Sequence, residues 1–353
     1  MFHDSFVLVM PSSSLPRSKL PVMCLRALFV LAGLAGAAPA DPPFGSHHVS
    51  TVMVPMRDGV RLATDVYRPA QQGRPVEGRF PVILYRTPYD KRGLAKDGAF
   101  FARYGYVVLA QDCRGRFASE GRFYAFVNEG RDGYDAIEWA ARQPWCDGRV
   151  VTAGASYLAW DQYHAAMYRP PHLAGMFALV GGANFYEEYA YPGGVPNPGW
   201  PAWLLRSAAT SREALRDPAR AGPLQTILKD PLQWLAQHPR RRGEIFAGFP
   251  DHARMYQDLL EHPQFDSAWK QPGFYVSGYY RRIKDVPALL LSGWYDYFAE
   301  GVLENYRAFQ RLHKSPTFLL MGPWPHATGA AECGDASFGA DAAVDQRALM
   351  LEW

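Results

Sequence analysis

VVTAGASYLAWDQYHAA, residues 150–166, is the stretch of sequence that decides the fold of this chain. Its β-branched start, small middle and helical end predict a buried strand that turns sharply into a helix. Ser156 stands at that turn, where the strand–turn–helix motif called a nucleophile elbow places its serine. Gly154 precedes it, but the second glycine of the motif is missing. Taken alone, the segment leaves two interpretations open: an activated nucleophile, or a serine in an ordinary turn.

Short apolar segments on both sides of this turn predict further strands. They lie at residues 80–89, 104–115, 286–298 and 316–329. Helical patterns separate them, and this alternation predicts a mostly parallel sheet with helices on its faces. Nearer the start of the chain, the Asp58-Gly59 pair between two alternating segments predicts an antiparallel hairpin.

The pattern changes in the middle of the chain, where Trp and Tyr are frequent and short amphipathic pieces replace the strands. These features predict a helical cap inserted at residues 186–285. The α/β core is then expected in two parts, residues 41–185 and 286–353.

Composition limits the possible functions. Of 353 residues, 48% are hydrophobic and 20% are charged, which is typical of a globular protein. The net charge is +3 and no block of basic residues is present, so nucleic acid is not expected as a partner. Neither C-x-x-C nor H-E-x-x-H occurs, and no metal or other cofactor is predicted. Assembly into a homo-oligomer is left open.

The first 40 residues have the pattern of a secretory signal peptide. Three basic residues come before the apolar run ALFVLAGLAGAA, which ends at an A-P-A site. We expect a secreted or periplasmic protein with no stable membrane insertion after cleavage, and the alternative is an uncleaved anchor. An oxidising compartment permits one disulfide among Cys113, Cys146 and Cys333, and Cys113 with Cys146 is the expected pair.

Three residues that could form a catalytic triad follow three successive predicted strands. They are Ser156, Asp296 and His326, in the order nucleophile, acid, base that is found in α/β-hydrolases. A serine is a weak nucleophile until a neutral imidazole accepts its proton, and a carboxylate can hold that imidazole in the required tautomer. Each residue alone has an ordinary structural explanation. Their joint position at strand ends favours the triad.

The chain resembles the cocaine esterase and X-prolyl dipeptidyl-peptidase-like hydrolases, the CocE/NonD family. The matching segments are collinear and include VPMRDGVRLATDVYRP, PVILYRTPYDK, YGYVVLAQDCRGRFASEG, GASYLAWDQ, LLLSGWYDYF and GPWPH. The resemblance implies an α/β-hydrolase fold with a cap, and a triad of Ser156, Asp296 and His326. It also implies an oxyanion hole made by the Tyr89 hydroxyl and the Tyr157 backbone N–H.

The chain departs from this family in two places. Ala159 replaces a family glycine, and its single added methyl is expected to be tolerated. The C-terminal β-sandwich (jelly-roll) domain of the family is expected to be missing from this sequence.

The family resemblance predicts a serine hydrolase that cleaves ester or amide bonds through an acyl-enzyme. Alternatives are an X-prolyl dipeptidyl peptidase, an amino-acid ester hydrolase or acyltransferase, and a non-catalytic binding protein that kept the fold. Trp160 is predicted to contact the substrate. Glu187 and Glu188 are candidates to bind a substrate ammonium group, or they are solvated charges of the cap.

Overall fold

The structure is a computed structural model. It describes residues 7–9, 40–231, 233, 236, 244–326 and 329–353. The predicted signal peptide, residues 1–40, lies outside the described residues except for Val7–Val9 and Ala40.

A large mixed sheet forms the centre of the molecule. Its strands are β1 Val7–Val9, β2 Ser46–Pro55, β3 Arg61–Gln71, β4 Arg74–Pro75, β5 Phe80–Thr87, β6 Val107–Asp112, β7 Cys146–Ala155, β8 Leu173–Leu179, β9 Ala288–Gly293 and β10 Thr317–Gly322. Across the sheet the order is β1-β10-β9-β8-β7-β5-β6-β3-β2, with β4 beside β3. Strands β5 to β10 pair in parallel, whereas β1, β2 and β3 are antiparallel to their neighbours. A separate small hairpin joins β11 Glu332–Cys333 to β12 Ala336–Ser337.

Helices cover the sheet and form most of the segment between β8 and β9. The α-helices are α1 Ala95–Arg103, α2 Glu129–Ala141, α3 Tyr157–Met167, α4 Gly199–Ala209, α5 Arg212–Arg216, α6 Pro218–Ile227, α7 Pro250–Glu261, α8 Ala299–Leu312 and α9 Gln346–Glu352. Shorter 3₁₀ turns lie at Lys91–Leu94, Pro192–Gly194, Glu244–Phe246, Val276–Arg282 and Ala340–Ala342, and a π-helical turn spans Tyr186–Ala190. Within the described part of the chain, no helix is both long and apolar enough to cross a bilayer.

The mostly parallel α/β architecture confirms the predicted fold class. Every residue of β6, VVLAQD, and of β9, ALLLSG, is buried, as expected for strands with helices on both faces of the sheet. The predicted hairpin is also confirmed, because β2 and β3 pair on either side of Asp58 and Gly59.

That residues 186–285 form a separate cap domain remains a prediction. The secondary-structure elements described between β8 and β9 are helices and helical turns joined by loops, with one isolated bridge from Asn184 to Tyr275. Helix α4 of this segment contacts the loop that follows β5, where the Trp203 indole N–H donates a hydrogen bond to the Tyr89 hydroxyl.

The expected disulfide between Cys113 and Cys146 is wrong. Both thiols are free and buried. Cys146 pairs with Phe80 at the amino end of β5, whereas Cys113 comes directly after Asp112, which pairs with Thr87 at the carboxyl end of β5. Seven residues of strand separate those ends by roughly 23 Å, but a disulfide requires Cα atoms within about 7 Å.

Candidate active site

Ser156 lies at a sharp turn between β7 and α3. Its backbone has φ 59° and ψ −119°, a conformation that costs a non-glycine residue about 1–3 kcal/mol and is concentrated at functional sites. The Ser156 N–H donates to the Leu179 carbonyl oxygen at 2.9 Å, which ties the turn to the neighbouring strand β8. Gly154 has φ 140°, and a Cβ there would collide with the Leu158 side chain. The one glycine present is therefore the one that the turn requires.

Ala159, the departure from the family pattern, is accommodated by a neighbouring glycine. Its methyl is buried and faces Gly181, just beyond β8, where an added Cβ would lie 2.7 Å from it. Since Gly181 leaves that space free, helix α3 can pack against the sheet with alanine in this position.

The three residues predicted to form the triad converge at the carboxyl edge of the sheet. Ser156 Oγ lies 2.8 Å from His326 Nε2, and His326 Nδ1 lies 2.9 Å from Asp296 Oδ1. They follow β7, β9 and β10, whose carboxyl ends reach the same edge because these strands run parallel with β8 between β7 and β9. A carboxylate only accepts hydrogen bonds, so this geometry places the proton of neutral His326 on Nδ1 and leaves Nε2 free to accept.

Asp296 is held in place from several directions. Its side chain is 0% exposed, the Ser292 hydroxyl donates to Oδ2 at 3.1 Å and the Phe298 N–H donates to Oδ1 at 3.2 Å. The Tyr297 ring stacks on the His326 imidazole with 4.4 Å between centroids, so the imidazole is positioned by a ring as well as by a carboxylate.

Tyr89 presents a hydroxyl whose proton is free to donate. The Trp203 indole N–H donates to the Tyr89 oxygen at 3.0 Å, and that oxygen keeps its own O–H for another acceptor. The side chain is 49% exposed. Desolvation of the hydroxyl nevertheless raises the pKa of Tyr89, so it stays a neutral donor at ordinary pH.

The Tyr157 side chain is engaged in hydrogen bonds, so its backbone N–H is the group that could serve as the predicted oxyanion donor. Its hydroxyl donates to Glu129 Oε1 at 2.9 Å and accepts the Phe126 N–H at 3.0 Å. The backbone N–H belongs to the first residue of α3, where no intrahelical acceptor is available. Tyr89 and Tyr157 both line the cavity at Ser156, as an oxyanion hole requires.

A buried ionic network beneath the elbow was not predicted. Arg86 Nη2 lies 2.9 Å from Glu129 Oε2, and the Arg86 Nη1–H donates to the Glu129 carbonyl oxygen. Cys113, Glu129 and Asp161 bring atoms of metal-ligand type within 4.8 Å of one another. The Arg86 guanidinium supplies a positive charge beside Glu129, and burial raises the pKa of Asp161, which favours its neutral form. The negative charge of the cluster is therefore compensated without a metal ion.

Two arginines of the loop after β6 are engaged in contacts within the protein. Arg114 forms ion pairs with Asp58 and Asp132. Arg116 is buried and donates hydrogen bonds to the carbonyl oxygens of Pro88 and Ser207, which links the core to α4.

The predicted substrate-contact residues occupy different environments. Trp160 lines the cavity at Ser156. Among the residues that the structure describes, Glu187 and Glu188 do not line it. Glu188 Oε1 instead accepts the backbone N–H groups of Ala183 and Asn184 at 2.8 and 2.6 Å. Burial raises the pKa of Glu188 to about 8, with added repulsion from Glu304 and Glu300.

The cavity at Ser156 is small, about 30 Å³, and its walls are aromatic. Trp200, Trp203 and Tyr297 line this cavity. The sequence showed that aromatic residues are frequent but did not identify these three. Only their frequency in the sequence signalled such a role.

Comparison with known proteins places these features in context. Residues 58–328 match the family model described as X-Pro dipeptidyl-peptidase (S15 family). The cocaine esterase of Rhodococcus sp. (strain MB1 Bresler) is 34% identical over 310 residues, covering 82% of this chain and 51% of the esterase. The chain therefore spans about half the length of this curated relative.

Solved structures show the same fold. A CocE/NonD family hydrolase from Staphylococcus aureus superposes with a TM-score of 0.54 at 26% identity, covering 74% of this chain and 43% of that protein. An aminopeptidase from a marine sediment Thaumarchaeota archaeon has a TM-score of 0.64 at 20% identity, covering 94% of this chain and 54% of that protein.

Proposed function

The chain belongs to the X-Pro dipeptidyl-peptidase (S15) family, and from this premise we propose that it is a serine hydrolase that cleaves small esters through an acyl-enzyme. The single observation that carries the proposal is the continuous set of contacts from Asp296 through His326 to Ser156, at 2.9 and 2.8 Å. The strained backbone of Ser156 supports it, because such strain persists where the surrounding structure requires it.

In the acylation step, Ser156 Oγ attacks the ester carbonyl carbon while His326 Nε2 accepts the hydroxyl proton. Asp296 stabilises the imidazolium that forms. The Tyr89 O–H and the Tyr157 N–H donate to the negative oxygen of the tetrahedral intermediate. When the intermediate collapses, the C–O bond to the alcohol breaks and His326 returns the proton to the leaving oxygen.

Deacylation repeats these steps with water. His326 takes a proton from a water molecule that attacks the acyl-enzyme carbonyl carbon, and the same two donors stabilise the second oxyanion. Collapse breaks the bond to Ser156 Oγ, which regains its proton, and the carboxylic acid leaves. The net reaction consumes one ester and one water and yields one acid and one alcohol.

Ordinary esters fit this site better than substrates with a free α-amino group. An ammonium group buried at the site would require a carboxylate partner. Glu188 is engaged with two backbone N–H groups, and neither it nor Glu187 lines the described cavity. A panel of p-nitrophenyl esters, aminoacyl anilides and X-prolyl anilides tests this preference. Faster turnover of the anilides would contradict it.

The triad is tested with a fluorophosphonate probe, which forms a covalent bond with an activated serine. We expect wild type to be labelled and Ser156→Ala to be unlabelled while it retains the wild-type circular dichroism spectrum. Ser337→Ala removes an exposed serine and is the matched control, with labelling expected to equal that of wild type. A folded wild-type protein that stays unlabelled, or Ser156→Ala labelled like wild type, contradicts the proposal.

We also propose that the protein is exported, on the strength of the basic and apolar pattern at residues 1–40. Determination of the N-terminal residue of the mature protein tests this. Cleavage after Ala40 supports export, and a retained N-terminus contradicts cleavage at that site.

A further inference from the structure

Two cavities of very different size meet at one tryptophan. The cavity at Ser156 measures about 30 Å³. A second cavity of about 420 Å³ lies between α7, the loop after β6 and residues 268–274. Among the residues that the structure describes, Trp200 is the one that lines both. Its indole therefore forms part of the wall between the nucleophile and a much larger space.

Packing on several sides holds Trp200 in this position. It is 4% exposed and lies in the first turn of α4. Trp203, one helical turn later, stacks on it with 4.8 Å between centroids and 14° between ring planes. Phe185 meets it edge-on at 4.9 Å. Rings held by stacked and edge-on neighbours gain stability from that geometry, so a rotation of Trp200 out of the wall would lose these contacts.

The small cavity limits what can be bound to Ser156. One water molecule occupies about 10–15 Å³ on the same measure, so 30 Å³ accommodates two or three non-hydrogen atoms. An acetyl group has that size, whereas a benzoyl group does not. The second cavity is large enough for a ring, and Trp269, Phe274 and Met255 provide apolar walls for one.

We propose that Trp200 is the specificity-determining residue for the acyl group, restricting the enzyme to short acyl chains by closing off the second cavity. This inference rests on the proposed ester hydrolysis. Removal of the indole joins the two cavities and gives a long or aromatic acyl group access to the nucleophile.

The experiment compares kcat/KM for p-nitrophenyl acetate, butyrate, hexanoate and benzoate in wild type, Trp200→Leu and Trp200→Ala. We expect wild type to prefer acetate to benzoate by at least tenfold. Each methylene in an apolar pocket changes the rate by about 10-fold or more, so the benzoate-to-acetate ratio should rise at least tenfold in Trp200→Ala and by a smaller factor in Trp200→Leu. The ratio is internal to each protein and does not depend on the folded fraction.

Trp269→Leu is the matched control, because Trp269 is another buried tryptophan that lines only the larger of the two cavities. Its ratio should stay within twofold of wild type. If Trp200→Ala does not fold, Trp200→Leu and Trp200→Phe carry the test.

The outcomes separate this inference from the proposed function. If wild type and every folded Trp200 variant hydrolyse acetate with the same benzoate-to-acetate ratio, the role of Trp200 is overturned and the proposed function is not. A wild-type protein that hydrolyses none of the esters and is not labelled by the fluorophosphonate overturns the proposed function, and this inference with it.

Discussion

Glu188→Gln should change the pH dependence of stability. Glu188 Oε1 accepts the N–H groups of Ala183 and Asn184, and Oε2 is buried with no hydrogen-bond partner among the described residues. Burial, together with the charges of Glu304 and Glu300, raises the pKa of Glu188 from 4.5 to about 8. Glutamine keeps the oxygen that accepts the two N–H groups and cannot ionise, so it isolates the effect of the charge.

The sign follows from proton binding in the two states. Between pH 4.5 and about 8 the folded carboxyl keeps its proton and the unfolded one loses it. The folded state then binds more protons, so the free energy of unfolding falls as pH rises. The contribution of protonated Glu188 is complete below pH 4.5 and is lost as pH rises towards 8. Above that range both states are ionised and the slope disappears.

The magnitude follows from the width of this range. Each pH unit between the two pKa values costs about 1.4 kcal/mol, so the step from pH 5 to pH 8 has an upper bound of about 4 kcal/mol. At pH 8 the folded carboxyl is already partly ionised, and at pH 5 part of the unfolded carboxyl is still protonated, so the difference is smaller than this bound and we expect about 2–4 kcal/mol.

The assay is urea unfolding of wild type and Glu188→Gln at pH 5 and pH 8, followed by tryptophan fluorescence. We expect wild type to lose about 2–4 kcal/mol more than the variant between the two pH values, because other groups titrate in both proteins and cancel. Glu187→Gln removes the same formal charge from an exposed neighbouring side chain and controls for net charge. Equal losses of stability in the two proteins between pH 5 and pH 8, or a larger loss in Glu188→Gln, would refute the reasoning.

Three further predictions concern the elbow, the oxyanion hole and the cysteines. Tyr89→Phe should lower kcat for acetate about 10²–10³-fold with an unchanged circular dichroism spectrum, since one oxyanion donor is lost; a change under threefold in steady-state kinetics would exclude that role. The free energy of unfolding in urea should be about 1 kcal/mol higher for Ser156→Gly than for Ser156→Ala, because glycine adopts the positive φ of this position without strain. Equal stability of the two variants would show that the turn is unstrained. Reductant should leave Tm unchanged, and mass spectrometry should find Cys113 and Cys146 unlinked; a peptide joining the two would contradict the strand register.

Much of the fold was predictable because it depends on local pattern and chain order. Apolar runs such as ALLLSG in β9 indicate strands that are buried on both faces. Ser156, Asp296 and His326 follow such strands in the order nucleophile, acid, base along the chain. Parallel pairing then brings the strand ends to one edge, so the candidate triad could be identified before any distance was measured.

The cysteine prediction failed because compartment and residue count carry no information about position along a strand. Cys113 and Cys146 are separated by the length of β5, which only the register reveals. The ammonium-binding hypothesis for Glu188 depended on the same kind of missing information. The direction of that carboxylate is set by the backbone N–H groups of Ala183 and Asn184, in a loop that adjoins β8.

The sequence by itself therefore determined the α/β class, the family and the three residues of the candidate triad, because hydrophobic periodicity and motif order are properties of the chain alone. Tertiary structure decided which side chains surround them. Trp203 reaches Tyr89 across 114 positions, and Trp200 separates two cavities, through long-range packing that no local pattern encodes. The physical reason is that strand formation follows from short-range preferences, whereas the shape of a cavity depends on how distant aromatic rings pack together.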